Sequence, residues 1–174
     1  MKRINFIIFL LLTFITISAQ KFKEGDIVFQ ISKSSQSKYI QLATRSPWSH
    51  CGIVVIKDNK IYVLEAANVV KLTPINTWIN KGRFKIYKKR RITNKPIKVK
   101  YQKYLGKKYD LEFKFNNGKY YCSELVYDIY KSQFNIKLAT PKPVKSYFIF
   151  GISNIIKKRS LTKNQLVVAP SDLL

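Results

Sequence analysis

The sequence contains few of the residues that build metal sites, disulfide frameworks and disordered linkers. It has one histidine, two cysteines, six glycines and six prolines among 174 residues. Two cysteines form one disulfide at most, and one histidine with two cysteines predicts no structural zinc site. So few glycines and prolines argue against long disordered segments. We therefore expect no metal ion and no organic cofactor, and any histidine chemistry must use His50.

Acidic residues are also scarce. Nine Asp and Glu residues stand against 33 Lys and Arg residues, which gives a formal net charge of +24. A charge of this size bears on partners and solubility rather than on the fold. It fits either a solvated basic surface or a surface that binds an anionic envelope polymer or lipid headgroups. No nucleic-acid-binding motif is present, so we do not expect nucleic acid as a partner.

The first twenty residues differ in kind from the rest of the chain. Lys2 and Arg3 precede an apolar run at 4–17, and small residues follow at 18–20. This order is typical of a secretory signal peptide, and the apolar run is short for a membrane span. We predict a signal peptide at 1–19 and one domain at 20–174, in the periplasm, in the cell envelope or outside the cell. An uncleaved N-terminal anchor is the alternative.

The patterns after residue 20 predict an α+β domain in which helices pack against an antiparallel sheet. The clearest helix is 123–133, because Leu125, Val126 and Ile129 recur at helical spacing. Thr73 is expected to cap another helix, which Pro74 begins. The predicted strands are 27–30, 50–56, 61–66, 83–87 and 166–169, and the predicted helices are 32–44, 74–80, 96–105 and 123–133.

Two predicted strands form a hairpin that brings His50 close to Glu65. A turn at Asp58-Asn59 sets a register in which Gly52 lies opposite Glu65. His50 is two residues from Gly52, on the same face, so its Cβ atom lies about 7–8 Å from that of Glu65. A carboxylate at that distance can orient an imidazole, fix its tautomer and raise its basicity. The alternative for His50 is a hydrogen-bonded strand histidine without a catalytic role.

Cys122 lies at the start of the predicted helix 123–133. The helix dipole and the free N–H groups there lower the pKa of a thiol and can hold a developing oxyanion. The alternative for Cys122 is a small buried hydrophobic residue beside Leu125 and Val126. Strand alternation places Cys51 on the opposite face from His50, where we expect it in the core. The alternative for both residues is a Cys51–Cys122 disulfide, which an oxidising compartment permits and which would block the proposed nucleophile.

Four segments together resemble the YiiX/YebB-like proteins, a circularly permuted branch of the NlpC-type papain-like superfamily. The segments are 49–54, 64–66, 106–110 and 121–126, and 25–29 and 170–173 resemble the ends of these proteins. The resemblance implies a permuted papain-like fold with Cys122 as nucleophile, His50 as general base and Glu65 as the orienting third member. It also implies that Tyr109 stabilises the oxyanion, with ordinary packing as the alternative. Cys51 departs from the family, where an apolar residue such as valine is expected.

The same resemblance implies a secreted or envelope thiol hydrolase, an amidase or peptidase. Its substrates would be amide bonds in cell-wall peptides or related amidated molecules. One alternative is a lipid acyltransferase or thioesterase of the lecithin:retinol acyltransferase type, which also carries a histidine on a strand before a cysteine at a helix start. Another is a basic envelope-binding module without catalytic activity.

Overall fold

The computed structural model describes residues 22–148 and 153–174, so the predicted signal peptide at 1–19 lies outside the described residues. Short 3₁₀ turns and loops join the helices and strands. In chain order, the helices and strands are β1 (Ile27–Gln30), α1 (Ser37–Thr44), β2 (His50–Lys57), β3 (Lys60–Ala67), β4 (Val69–Pro74), α2 (Ile75–Lys81), β5 (Tyr87–Arg90), α3 (Cys122–Phe134), β6 (Lys142–Pro143), α4 (Ser153–Lys158) and β7 (Leu166–Val167).

Five strands form an antiparallel sheet in the order β4-β3-β2-β1-β5. The β2–β3 hairpin turns at Asp58 and Asn59, whose φ angles of 49° and 56° are those that a tight hairpin turn requires. Ile53 pairs with Leu64, which confirms the predicted register. The same register sets Gly52 opposite Glu65, and a Cβ atom built on Gly52 would lie 3.5 Å from the Cβ of Glu65.

The sheet buries both of its faces. Alternation along β2 sends Ile53 to one face, where it joins a core cluster with Leu125 and Ile129 of α3. Val54 points to the other face and packs in a second cluster with Trp78 of α2. Helix α3 therefore carries Cys122 to one side of the sheet, and α2 supplies Trp78 on the other.

The predicted fold class is confirmed, as are most of the predicted elements. Strands were expected at 27–30, 50–56 and 61–66, and they form β1, β2 and β3 with small changes at their ends. The predicted helix 123–133 is α3, and 74–80 is α2 moved by one residue. The first predicted helix begins only at Ser37, because the segment before it is a loop held by Ser49.

The strand predicted at 83–87 is wrong. Residues Arg83–Lys85 form a 3₁₀ turn, and Phe84 has a φ of 59° and an exposed side chain. The strand there is β5, which begins at Tyr87 because β1 pairs with residues 87–90 and offers no partner to the residues before them.

The helix predicted at 96–105 is also wrong, since only Gln102–Tyr104 forms a 3₁₀ turn there. Side chains occupy the backbone groups that a helix would use. The N–H of Val99 donates to Glu24 at 2.8 Å, and the N–H of Lys100 donates to the side-chain oxygen of Gln133 at 2.9 Å. Strand β4 was not predicted, and Thr73 does not cap α2 because its hydroxyl donates to Glu65 instead.

No helix within the described residues is both long enough and apolar enough to cross a membrane.

Candidate active site

Glu65 is a buried carboxylate with a full set of hydrogen-bond donors. Its Oε2 accepts from His50 Nε2 at 2.6 Å and from Trp78 Nε1 at 3.1 Å, and its Oε1 accepts from the Thr73 hydroxyl at 2.6 Å. Burial opposes ionisation, but the donors and the charges of His50 and Lys71 outweigh it and lower the pKa of Glu65. A paired and hydrogen-bonded carboxylate is the arrangement that a buried charge requires.

His50 connects Glu65 to Cys122. Its side chain is 12% exposed, and Nε2 is hydrogen-bonded to Glu65. Nδ1 is therefore the ring nitrogen that is left to interact with Cys122. Burial lowers the pKa of His50, but the hydrogen bonds with Cys122 and Glu65 raise it to about 10. An imidazole held between a carboxylate and a thiolate is therefore protonated at neutral pH. The predicted neighbours on the hairpin do meet, through β2 and β3 pairing in register.

Cys122 is the first residue of α3, whose N-cap is Tyr121. The first N–H groups of a helix have no intrahelical acceptor, so the Cys122 N–H is available for an oxyanion. The cap is fixed by Glu124, which accepts from the Tyr121 N–H at 3.4 Å. A buried thiol would ordinarily resist ionisation, yet the pKa of Cys122 lies well below its usual range. The hydrogen bond from Cys51 is the largest cause, and the one from His50 adds to it.

Cys51 lies in the core, where it was expected, but it also contacts the proposed nucleophile. It is fully buried in the core cluster that lies between the sheet and α3, and neither cysteine forms a disulfide within the described residues. Its thiol and its backbone N–H lie close enough to the sulfur of Cys122 to favour the thiolate and lower the pKa of Cys122. Burial then raises the pKa of Cys51 itself, as does the neighbouring Cys122. From the sequence this pair was considered only as a disulfide, because strand alternation separates Cys51 from His50 but does not place it relative to α3.

Tyr109 lies between the Cys122 side and the His50 side of the site. Its N–H donates to the carbonyl of Asn68 at 2.8 Å, and it bridges to Tyr120 in a short parallel pair. Burial raises the pKa of Tyr109, and the charge on Cys122 adds to that shift. The phenol therefore keeps its proton and can donate it in a hydrogen bond. Its role in catalysis stays a prediction.

Two cavities open at the site, one on each side of Tyr109. The first is an apolar cavity of about 130 Å³ against Cys122. Its walls include Tyr39, Ile40, Tyr147, Ile155, Val167 and Val168. The second is an open groove that His50 and Glu65 line. A reacting bond at Cys122 would thus have an apolar cavity on one side and, on the other, the groove that contains His50 and Glu65.

Fold and site together define a class: a permuted papain-like protein with histidine before cysteine in the chain. The sequence model of the permuted papain-like amidase enzymes, the YaeF/YiiX or C92 family, matches residues 21–173. The chain belongs to this family. The uncharacterised protein YiiX of Escherichia coli strain K12 is 41% identical over 130 residues. The match spans 71% of this chain and 64% of that relative, less than two thirds of its length.

A solved structure is similar as well. The crystal structure of YiiX from Escherichia coli O157:H7 matches with a TM-score of 0.80 at 35% identity, over 87% of this chain and 91% of that one. That relative is described as a metalloprotein. The donors in this chain do not fit a metal site, because no group of three or more His, Cys, Asp or Glu side chains within 22–148 and 153–174 could hold an ion.

Proposed function

We propose that this protein is a cysteine amidase or peptidase in which Cys122 is the nucleophile, His50 the general acid and base, and Glu65 the orienting carboxylate. The observation that carries this proposal is the 2.6 Å hydrogen bond that joins His50 to the buried carboxylate of Glu65, in an imidazole that also interacts with the thiol at the start of α3. The pKa of Cys122 is low and that of His50 is high, so the two groups form a thiolate–imidazolium pair.

The reaction follows from the positions of these groups. The Cys122 thiolate forms a bond to the amide carbonyl carbon, and the negative charge moves to the carbonyl oxygen. The Cys122 N–H and the Tyr109 hydroxyl donate to this oxyanion. The C–N bond breaks as imidazolium His50 gives its proton to the leaving nitrogen. His50 then takes a proton from water, which attacks the thioester and releases the acid and the thiolate.

The proposed substrates are amide bonds of cell-wall peptides or related amidated molecules, and the proposed location is the cell envelope or the exterior. The sequence pattern at 1–19 supports the location, and the net charge of +24 suits an anionic polymer. Expression with a C-terminal tag, fractionation and N-terminal sequencing test this. Mature protein that starts at Gln20 and leaves the cytoplasm is expected, while full-length protein retained in the cytoplasm would refute the location.

A second candidate is supported by the apolar cavity beside Cys122. The cavity of about 130 Å³ is close in size to the ~150 Å³ apolar cavity that accepts benzene. It suits an acyl group of about six carbons, which favours hydrolysis or transfer of a lipid-like acyl chain from an ester or thioester. A binding module without catalysis is the third candidate.

The experiment that separates these candidates uses one acyl group on three leaving groups. Hexanoyl amide, ester and thioester substrates are incubated with the wild type and with Cys122→Ala, and intact mass spectrometry follows the enzyme. The amidase proposal predicts amide hydrolysis and a hexanoyl adduct on Cys122 that is absent from Cys122→Ala. Reaction with the esters alone would support the second candidate, and no adduct with any substrate would support the binding module.

A further inference from the structure

The positions of the two cavities indicate where the acyl group and the leaving group of a substrate would bind. During acyl transfer the leaving group must lie where His50 can protonate it, and the acyl group must lie on the side of Cys122. His50 and Glu65 line the open groove, whereas Cys122 lines the apolar cavity. The open groove is therefore the leaving-group side of the site.

The walls of this groove carry positive charge. Lys71 is the cross-strand partner of Glu65, and Lys108 directly precedes Tyr109 and bridges to Val69. Two more lysines, at 33 and 81, line the same groove from the loop before α1 and from the end of α2. The groove thus brings together four lysines from four separate segments of the chain.

The four lysines outnumber the carboxylate in these walls, Glu65, whose pKa the charge of Lys71 lowers. Among the residues that the structure describes, none of the four lysines has a carboxylate within ion-pair distance. The acidic residue in the walls of the groove is Glu65, which already accepts from His50, Thr73 and Trp78. Positive charge on low-dielectric walls concentrates anions in a cleft.

We propose that the groove is a subsite for an anionic leaving group, an amine that carries a carboxylate near the scissile nitrogen, with Lys71 and Lys108 as its specificity-determining residues. This inference rests on the proposed function. It names a substrate with a small apolar acyl group and a carboxylate-bearing amine. Lys71 and Lys108 are chosen because they lie next to Glu65 and Tyr109 in the structure.

The test uses two alkylating reagents that differ only in charge, so it needs no knowledge of the natural substrate. N-iodoacetylglycine and N-iodoacetylglycinamide react with the Cys122 thiolate at the same carbon and extend the same amide chain into the groove. Peptide mass spectrometry measures the label on Cys122, and each rate is divided by the rate of that reagent with 2-mercaptoethanol. The wild type is compared with Lys71→Gln/Lys108→Gln and with a control, Lys57→Gln/Lys60→Gln.

The control pair lies at the hairpin tip, about 20 Å along β2 from His50. We expect the wild type to prefer the anionic reagent by about three- to tenfold, as two screened lysine interactions predict. The preference should be lost in Lys71→Gln/Lys108→Gln, retained in the control pair and reduced by added salt. Equal rates with both reagents, or a preference that survives the loss of both lysines, would overturn the inference and leave the proposed function intact. Failure of Cys122 to react with either reagent would overturn both.

Discussion

At the scale of single residues, Glu65 shows how one buried carboxylate organises several elements. It lies on β3 and accepts hydrogen bonds from β2, from β4 and from α2, through His50, Thr73 and Trp78. Two of these donors, His50 and Trp78, share Oε2, and Thr73 donates to Oε1. Any change that removes the charge therefore affects the orientation of His50 as well as its pKa.

Replacing Glu65 with Gln tests this role. The amide keeps the shape of the carboxylate but removes the charge and one acceptor. The pKa of His50 should therefore fall, and the neutral tautomer without a proton on Nε2 should be favoured. We expect kcat/KM to fall by about 10²- to 10⁴-fold, with the fold retained. Steady-state kinetics on the best amide substrate would measure this. Glu112→Gln, at a partly exposed carboxylate that pairs with Lys114, is the control and should leave activity unchanged. A loss below threefold in Glu65→Gln would contradict the role.

Cys51 offers a second test at this scale, because its thiol lies beside Cys122 and lowers the pKa of that residue. Removing the donor in Cys51→Ala should raise the pKa of Cys122 and slow its alkylation at mildly acidic pH. Cys51→Ser keeps a hydroxyl donor and should restore most of the rate. Titration of the thiolate by its ultraviolet absorbance measures the pKa directly. An unchanged pKa in Cys51→Ala would show that the Cys51 thiol does not lower the pKa of Cys122.

Sequence patterns predicted part of this cluster and could not predict the rest. His50 and Glu65 could be paired because a two-strand hairpin fixes its own register from local residues. Thr73 and Trp78 could not be assigned to Glu65, since their positions depend on β4 and α2 folding back over the sheet. The contact of Cys51 with Cys122 depends on how α3 packs against β2, which local patterns do not encode.

At the scale of elements, the close approach of β2 and β3 depends on Gly52. A Cβ atom at this position would lie 2.4 Å from the Cγ1 of Val63 and 2.8 Å from the carbonyl oxygen of Leu64. The second atom belongs to the backbone of β3, so the strand itself would have to move. That movement would reach Glu65, the next residue along β3.

We therefore expect Gly52→Ala to lower the free energy of unfolding by about 1–3 kcal/mol, the usual cost of forced overpacking. It should also reduce activity beyond the loss of folded protein, because Glu65 is displaced from His50. Urea unfolding and kinetics measure the two effects. Gly118→Ala is the control: its new Cβ atom meets no neighbour, and a positive φ of 77° leaves only local backbone strain. A Gly52→Ala protein with wild-type stability would contradict the described strand contact.

The wrong predictions of a strand at 83–87 and of a helix at 96–105 share one physical cause. Strand β5 begins at Tyr87 because β1 pairs with residues 87–90, and the segment near Val99 is extended because Glu24 occupies its backbone N–H. Both outcomes depend on residues about 60 to 75 positions away in the chain. Helix α3, by contrast, was predicted almost to the residue, because its apolar spacing and its cap at Tyr121 are local.

At the scale of the whole molecule, the net charge of +24 predicts binding to anionic surfaces. Sedimentation with vesicles that contain phosphatidylglycerol should capture the protein at low salt and release it as the Debye length shrinks to about 3 Å near 1 M salt. Cys122→Ala should bind equally well, because surface charge and catalysis are independent. Vesicles of phosphatidylcholine alone are the control. Binding that is the same on both vesicles and insensitive to salt would refute an electrostatic origin.

The pH dependence of Cys122 alkylation by iodoacetamide, in the wild type and in His50→Ala, tests the thiolate–imidazolium pair most directly. Because the pKa of Cys122 is low, the reactive thiolate forms at low pH. Because the pKa of His50 is about 10, the thiolate–imidazolium pair persists up to alkaline pH. We predict labelling that continues well below pH ~8.5, the value of a free thiol, and a clear upward shift in His50→Ala. A Cys122 that titrates as a free thiol in both proteins, or that does not react, would contradict the proposed mechanism.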